Sequence, residues 1–353
     1  MISIQQKHIS TSFEVTSFLR TMHEKISSDS PFTSLLWQES WALSLEHLPH
    51  LYTFVKHGNE IGYFWLAKQK ASPFPFIHTR YLNQTGMPRQ DQVWIEHNDI
   101  ICTKEDRADC LNALFNFLDN QGTDKLYVSM ALEEKWKQES SSTRGKCRNI
   151  PVKGYRTYLA GETLEECFSK NTREQIKRSN KLLVETCGEL SIEEASKDVV
   201  RDYFNLLGQY HIKRWGQTLE GSGFTNPFFL AHHTYLINSF FDDVSLLRVT
   251  AGNTLLGYSY NIVFKNKVYF YCSGINYAFQ NKKIKPGYSM HFLLMQFYRN
   301  KGFQWYDFLG GESQYKKSLS SEVYKFSNLT FYPASLLGNA NYLMQILKDK
   351  LTQ

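Results

Sequence analysis

Ser245-Leu246-Leu247-Arg248-Val249-Thr250, the turn Ala251-Gly252-Asn253, the run Leu255 to Phe264, the turn Lys265-Asn266 and the run Val268 to Gly274 decide the fold. Short apolar runs parted by Gly and Asn turns are hairpin partners, so these are three antiparallel strands. The basic loop Lys282-Lys283-Ile284-Lys285-Pro286-Gly287 follows. After it, Met290, Phe292, Leu293, Leu294, Phe297 and Tyr298 recur at helical spacing until Lys301-Gly302, where glycine is the expected stop. Phe303 to Leu309 is a further strand. Strands, helix and strand in that order build an α/β (α+β) layer fold, a mostly antiparallel mixed sheet flanked by helices.

Upstream of this core, a strand begins at Tyr155 and a basic helix runs from Asn171 to Glu185. A strand at Leu190 to Glu194, a long helix from Asp198 to Trp215 and a helix at Pro227 to Phe241 follow. The first half reads similarly. Thr11 and Ser12 open a helix, Ser34 to Leu45 makes a second, and His57-Gly58-Asn59-Glu60 turns a hairpin between Leu51 to Val55 and Ile61 to Ala67. Pro73 and Pro75 break the next stretch, after which Asp106 to Asn120 is helical and Lys125 to Met130 a strand. Downstream, Phe326 to Tyr332 is a last strand and Leu336 to Leu351 a terminal helix. With 353 residues the chain exceeds one ordinary core. The polar run Glu139 to Gly145 is its most linker-like segment, placing domains at 1–150 and 151–353.

Apolar residues at 42% supply enough surface for packed cores, and no run approaches the about 18 consecutive apolar residues of a membrane span. Met1 to Ser12 lacks the apolar core of a signal peptide, so a cytoplasmic location is expected, with peripheral membrane contact left open. A net charge of +6 spread along the chain is no DNA footprint. The one dense basic group, Lys170 to Lys181, fits either a solvated helix face or a docking surface for a phosphorylated cofactor, an acidic carrier domain or tRNA. The six cysteines lack zinc or redox spacing and read as reduced thiols; His232 and His233 have no ligand partners at metal spacing, so no metal is expected.

Three groups carry possible chemistry. A helix starting at Pro286, with four free amides and Lys282, Lys283 and Lys285 before it, suits phosphate or pyrophosphate; Gly287 would allow close approach and Ser289 could cap or donate. An ordinary loop with solubilising lysines fits the same residues. Past the strand end, Asp307 and Glu312 are candidate bases and Lys316 a fixed positive charge beside Gly310-Gly311, though a charged turn would look alike. His211, Lys213, Arg214 and Trp215 close the long helix, where basic residues also suit the helix dipole. Gly-x-Ser-x-Gly, Walker and Gly-x-Gly-x-x-Gly motifs are lacking.

Taken in order, Asn171-Thr172-Arg173-Glu174-Gln175-Ile176-Lys177-Arg178, His211-Ile212-Lys213-Arg214-Trp215, Leu256-Gly257-Tyr258, Lys285-Pro286-Gly287-Tyr288, Trp305-Tyr306-Asp307-Phe308, Gly311 and Tyr315-Lys316 resemble the GNAT-superfamily acetyltransferase domain of CelD-like (BioF2-like) proteins, related to the Fem aminoacyltransferases. Pro31-Phe32, Trp37, Trp41 and Trp94 to Asp99 extend the likeness more loosely. The resemblance implies two tandem acetyltransferase-like lobes, the first degenerate, and transfer of an acyl group from acyl-CoA or an acyl carrier protein to an amine of a small molecule, amino sugar or peptide.

Direct attack by the amine needs no enzyme nucleophile. The implied catalytic set is Asp307, Lys316, Glu312 and Tyr271, the last on the strand whose amide would polarise the carbonyl. Lys283, Lys285, Gly287, Tyr288 and Ser289 would hold the donor, and His211, Arg214, Trp215, Tyr315 and Arg178 the substrate. The loop has fewer glycines than usual for the superfamily, and Pro286 removes an amide donor. Transfer from aminoacyl-tRNA ranks lower, since the coiled-coil arm of that branch is missing here; a non-catalytic binding module in envelope polysaccharide assembly is the remaining alternative.

Overall fold

The computed structural model describes residues 2–70, 78–120, 124–136, 145–280 and 283–351. Most of the expected linker (139–144), together with Pro73, Pro75, Asn281 and Lys282, lies outside the described residues.

The chain opens with a strand the sequence reading left out, β1 (Ile2–Lys7), followed by α1 (Ser12–Lys25) and α2 (Leu35–Leu43). Helix α1 starts where expected because Thr11 and Glu14 form a reciprocal capping box. Strands β2 (His50–Lys56) and β3 (Asn59–Lys70) turn through His57 and Gly58, both at positive φ, the geometry of a tight hairpin. Then come β4 (His78–Leu82), the short β5 (Ile101–Cys102), α3 (Arg107–Asp119), β6 (Lys125–Leu132) and β7 (Lys146–Tyr158). The second series is α4 (Lys170–Cys187), β8 (Leu190–Glu194), α5 (Val200–Trp215), α6 (Pro227–Ser239), β9 (Val244–Ala251), β10 (Thr254–Phe264), β11 (Lys267–Ile275), α7 (Pro286–Asn300), β12 (Trp305–Gly310) and α8 (Gln314–Leu319). The chain ends with β13 (Glu322–Tyr332) and α9 (Leu336–Leu351).

Two compact units result: residues 1–152 with 325–353, and 153–324. The terminal strand and helix, expected in the second domain, therefore belong to the first. The cause is pairing: Phe326, Ser327 and Leu329 to Phe331 form an antiparallel ladder with β6.

The units repeat one plan. In the first, the order is β1-β2-β3-β4-β6-β13; in the second, β8-β9-β10-β11-β12-β7. Each has four antiparallel strands, a parallel fifth (β4 with β6, β11 with β12) and an antiparallel sixth. Helices α1 and α2 precede β2 as α5 and α6 precede β9, and α3 links β4 to β6 as α7 links β11 to β12. The strand that follows the fifth in sequence completes the other unit.

In the second unit, α4 and α7 cover one sheet face with a core of Ile176, Leu183, Val268, Phe270, Leu294 and Tyr306. The aromatic contacts of α5, Tyr203 with Tyr258 and Phe204 with Tyr260, and of α6, His233 with Tyr260, cover the other. Gly274 lets α5 approach β11: a Cβ there would lie 2.4 Å from the Leu207 carbonyl oxygen.

Candidate functional site

The parallel strands β11 and β12 pair only through Lys267/Trp305, Val268/Tyr306 and Tyr269/Asp307. Beyond Tyr269 the two strands run on without pairing and open a split between Phe270–Ile275 and Phe308–Gly310. The His291 ring of α7 fills its base, with ring centroids 4.6 Å from Phe270 and 5.2 Å from Phe308. Its Nδ1 is 3.2 Å from the Tyr306 hydroxyl, and Tyr315 of α8 stacks on it at 5.0 Å. Burial and the Lys316 ammonium hold the imidazole neutral, with its pKa lowered to about 3. Sequence reading passed over His291 as part of an apolar helix face; a polar residue inside such a face was the available signal.

The first unit has the same three-residue parallel pair, Thr79/Lys125 to Tyr81/Tyr127. There Asn98 stitches the diverging strands together: its side-chain amide donates to the Leu82 carbonyl at 2.9 Å and its backbone N–H to Met130 at 3.2 Å. Asn83 adds a bond to the Asn98 side chain at 3.0 Å. Trp94 to Asp99, noted in the sequence as a family mark, is thus the segment that closes this split.

At the mouth of the second unit's split lies the N-terminus of α7. Of the four amides expected to be free, few remain. Lys285 N–H donates to Ser179 Oγ at 2.8 Å, Pro286 has none, and Tyr288 turns back to the Lys285 carbonyl at 3.0 Å. Gly287 N–H is the one first-turn donor with no acceptor among the described residues. Ser289 is buried and its hydroxyl binds Ser179, so it ties α7 to α4 and does not face an anion. Lys283 is exposed, and Lys285 and Tyr288 are half-buried, at the same turn. Arg178 is exposed on α4 beside Ser179.

Asp307 is buried and faces away from His291, since Tyr306 and Phe308 take the α7 side and strand residues alternate. Its Oδ1 accepts from Leu309 N–H and from the Tyr324 hydroxyl, both at 2.8 Å. These bonds hold a β-bulge after Asp307 and the left-handed Leu309 (φ 63°) that turns the chain into Gly310-Gly311. Burial raises its pKa to about 6. Beyond the turn, Lys316 Nζ donates to the Gly310 carbonyl at the open end of β12. Glu312 is exposed and paired with Lys153 at 2.9 Å. Tyr271 does not enter the split; it packs with His233, Tyr260 and Phe229 beneath α6.

The end of α5 reaches the same region. His211 is buried, its Nδ1 2.8 Å from Ser222 Oγ, and burial lowers its pKa to about 4. Arg214 lies over the rings of Trp215, at 5.4 Å, and Tyr277, at 5.3 Å. Burial, and after it the charge of Tyr277, raises the Tyr315 pKa. The structure thus brings Arg214 to both Trp215 and Tyr277, a residue not singled out in the sequence. Among the described residues, no group of three or more His, Cys, Asp or Glu is poised to hold a metal, all six cysteines are free, and no helix is long and apolar enough to cross a membrane.

Residues 170–317 match the family model of the acetyltransferase (GNAT) domain. This stretch is a GNAT-type acetyltransferase domain. Among solved structures, the chain resembles FemX at 13% identity and TM-score 0.56, covering 96% of this chain and 99% of that one. It also resembles the tandem GNAT protein from the clavulanic acid biosynthesis pathway, at 10% identity and TM-score 0.50, with 94% and 98% covered. A conserved Bacteroides thetaiotaomicron protein of unknown function gives 10% identity and TM-score 0.58, with 93% and 99% covered. At these identities the likeness is one of fold, and that fold is the tandem GNAT arrangement of two lobes. No curated protein matches the sequence.

Proposed function

We propose that the chain is an N-acyltransferase of the CelD-like type, working in its second unit on an acyl thioester and an amine. The observation that carries this reading is the contrast between the two splits. Asn98 closes the first unit's split, while the second unit's opens onto a basic helix N-terminus and ends at an ammonium.

A thioester donor fits by charge. Gly287 N–H, the Lys283 and Lys285 ammonium groups and the α7 dipole would hold its phosphates, with fewer backbone donors than a glycine-rich loop offers. In the split, unpaired backbone groups of β11 would polarise the thioester carbonyl. The amine nitrogen attacks the carbonyl carbon, a C–N bond forms, the C–S bond breaks, and the proton lost by the amine ends on the departing thiolate. Lys316, fixed to the Gly310 carbonyl, stabilises negative charge at the open end of β12. His291 and Tyr315 form a packed aromatic floor that keeps water from the base of the split.

The test combines heat stabilisation by coenzyme A and acyl-CoA with thiol release in the presence of a panel of amines. Stabilisation and amine-dependent thiol release are expected; a folded protein giving neither would sink the acyl-CoA reading. A carrier-bound thioester is then the donor to try.

A further inference from the structure

We propose that Arg214 is the carboxylate-binding residue of the acceptor site, so that the amine accepted by this enzyme belongs to an amino acid or a peptide bearing a free carboxylate. The proposal rests on the acyltransferase reading above. Three observations lead to it.

First, the Arg214 guanidinium lies over two rings from different elements, Trp215 of α5 at 5.4 Å and Tyr277 of the turn after β11 at 5.3 Å. Cation–π contact with both rings restricts the guanidinium without using up its N–H donors, which suits recognition of a planar two-oxygen anion. Second, Arg214 forms no ion pair with any carboxylate among the described residues, and the flanking rings are accessible, with Trp215 45% and Tyr277 40% exposed. A solubilising arginine on a helix end needs no second ring from another element. Third, Tyr277 lies two residues past Ile275, the end of β11, so this arginine sits by the strand that borders the split, whose base His291 and Tyr315 fill. A carboxylate on Arg214 would leave the acceptor's amine to be directed toward the split.

His211 supports the arrangement from beneath. Its bond to Ser222 pins the loop that leaves α5, and its ring lies 6.4 Å from that of Trp215. The donor's phosphates are assigned to the α7 N-terminus, which leaves Arg214 to the acceptor.

The experiment compares the twenty amino acids with their carboxamides as acceptors, using acetyl-CoA, and measures thiol release for wild type, Arg214→Gln and Arg214→Lys. In wild type, at least one free acid should exceed its carboxamide by about tenfold to a hundredfold in kcat/KM, the effect of one charge-assisted bond. Arg214→Gln should collapse that ratio to about one, and Arg214→Lys should recover only part of it. Equal use of acid and carboxamide by wild type throughout the series, or an equal loss for both in Arg214→Gln, would overturn the proposal. Calorimetric titration with the same compounds separates it from the reaction itself. Acid-selective binding that Arg214→Gln abolishes, without turnover of any amine, would keep the carboxylate site and sink acetyl-CoA as the donor. Neither turnover nor acid-selective binding would overturn the carboxylate site.

Discussion

His291 lies face to face with Tyr315, their planes 6° from parallel, and so fills the point where β11 and β12 part. Shape and polarity contribute separately there. His291→Phe keeps a ring in the stack and gives up the bond to Tyr306, a loss of about 1–2 kcal/mol. His291→Ala also empties the space between Phe270 and Phe308 and should cost about 2–4 kcal/mol. Urea denaturation of both variants checks the order, and an alanine variant as stable as the phenylalanine one would remove the packing role.

Asp307 divides sharply between two roles. As a brace for the Leu309 turn, it can be replaced by asparagine, whose side-chain oxygen still accepts from Leu309 and Tyr324. Asp307→Asn should retain most turnover, whereas Asp307→Ala strands a buried N–H and hydroxyl and should lose about 1–3 kcal/mol of stability. If Asp307→Asn folds normally and abolishes thiol release, Asp307 is the general base.

For Lys316, the expected loss is catalytic. Lys316→Met keeps the stem and removes the charge from the Gly310 end of the split, so turnover should fall about a hundredfold or more, with little change in melting temperature. Lys316→Met with wild-type rates would eliminate it from the mechanism.

Acid should destabilise the protein. Burial holds His23 and His211 near 4 and His291 near 3, against an ordinary 6.5. Each contributes stability that is complete above 6.5 and is lost as pH falls toward the folded value, because the unfolded chain takes the proton first. Asp307 works the other way: raised to about 6 from 3.8, it returns stability between those values. Buried His233 is pushed down like those three histidines, while burial raises Asp91 and Asp243 as it does Asp307; the histidine shifts outweigh the carboxyl ones, so stability should fall as pH drops from 7 to 5. Urea midpoints at pH 7, 6 and 5 test this, and a flat or rising series would contradict it.

Much of the fold was readable because periodicity and turn chemistry are local. The hairpins at His57-Gly58 and Ala251-Gly252-Asn253, the capping box of α1 and the Pro286 helix start all follow from neighbouring residues. Strand β1 was missed because its alternation is weak and polar, and it forms only against β2. The internal repeat was invisible because the two units share strand order and little sequence. At the site, Lys316, Arg214 and Tyr315 were picked out, while the opposite facing of Asp307 and the occupation of Ser289 by Ser179 depend on sheet register and on a contact between residues 110 positions apart. Tyr277 lacked any motif, and only the turn after β11 brings it to Arg214.

Because β13 pairs with β6, the first unit stays incomplete until residues 326–331 have been synthesised. The second unit takes its strands β7 to β12 from earlier residues and does not wait for that ladder. Until β13 arrives, the first unit leaves one edge of β6 without its partner, an open template for unwanted strand pairing.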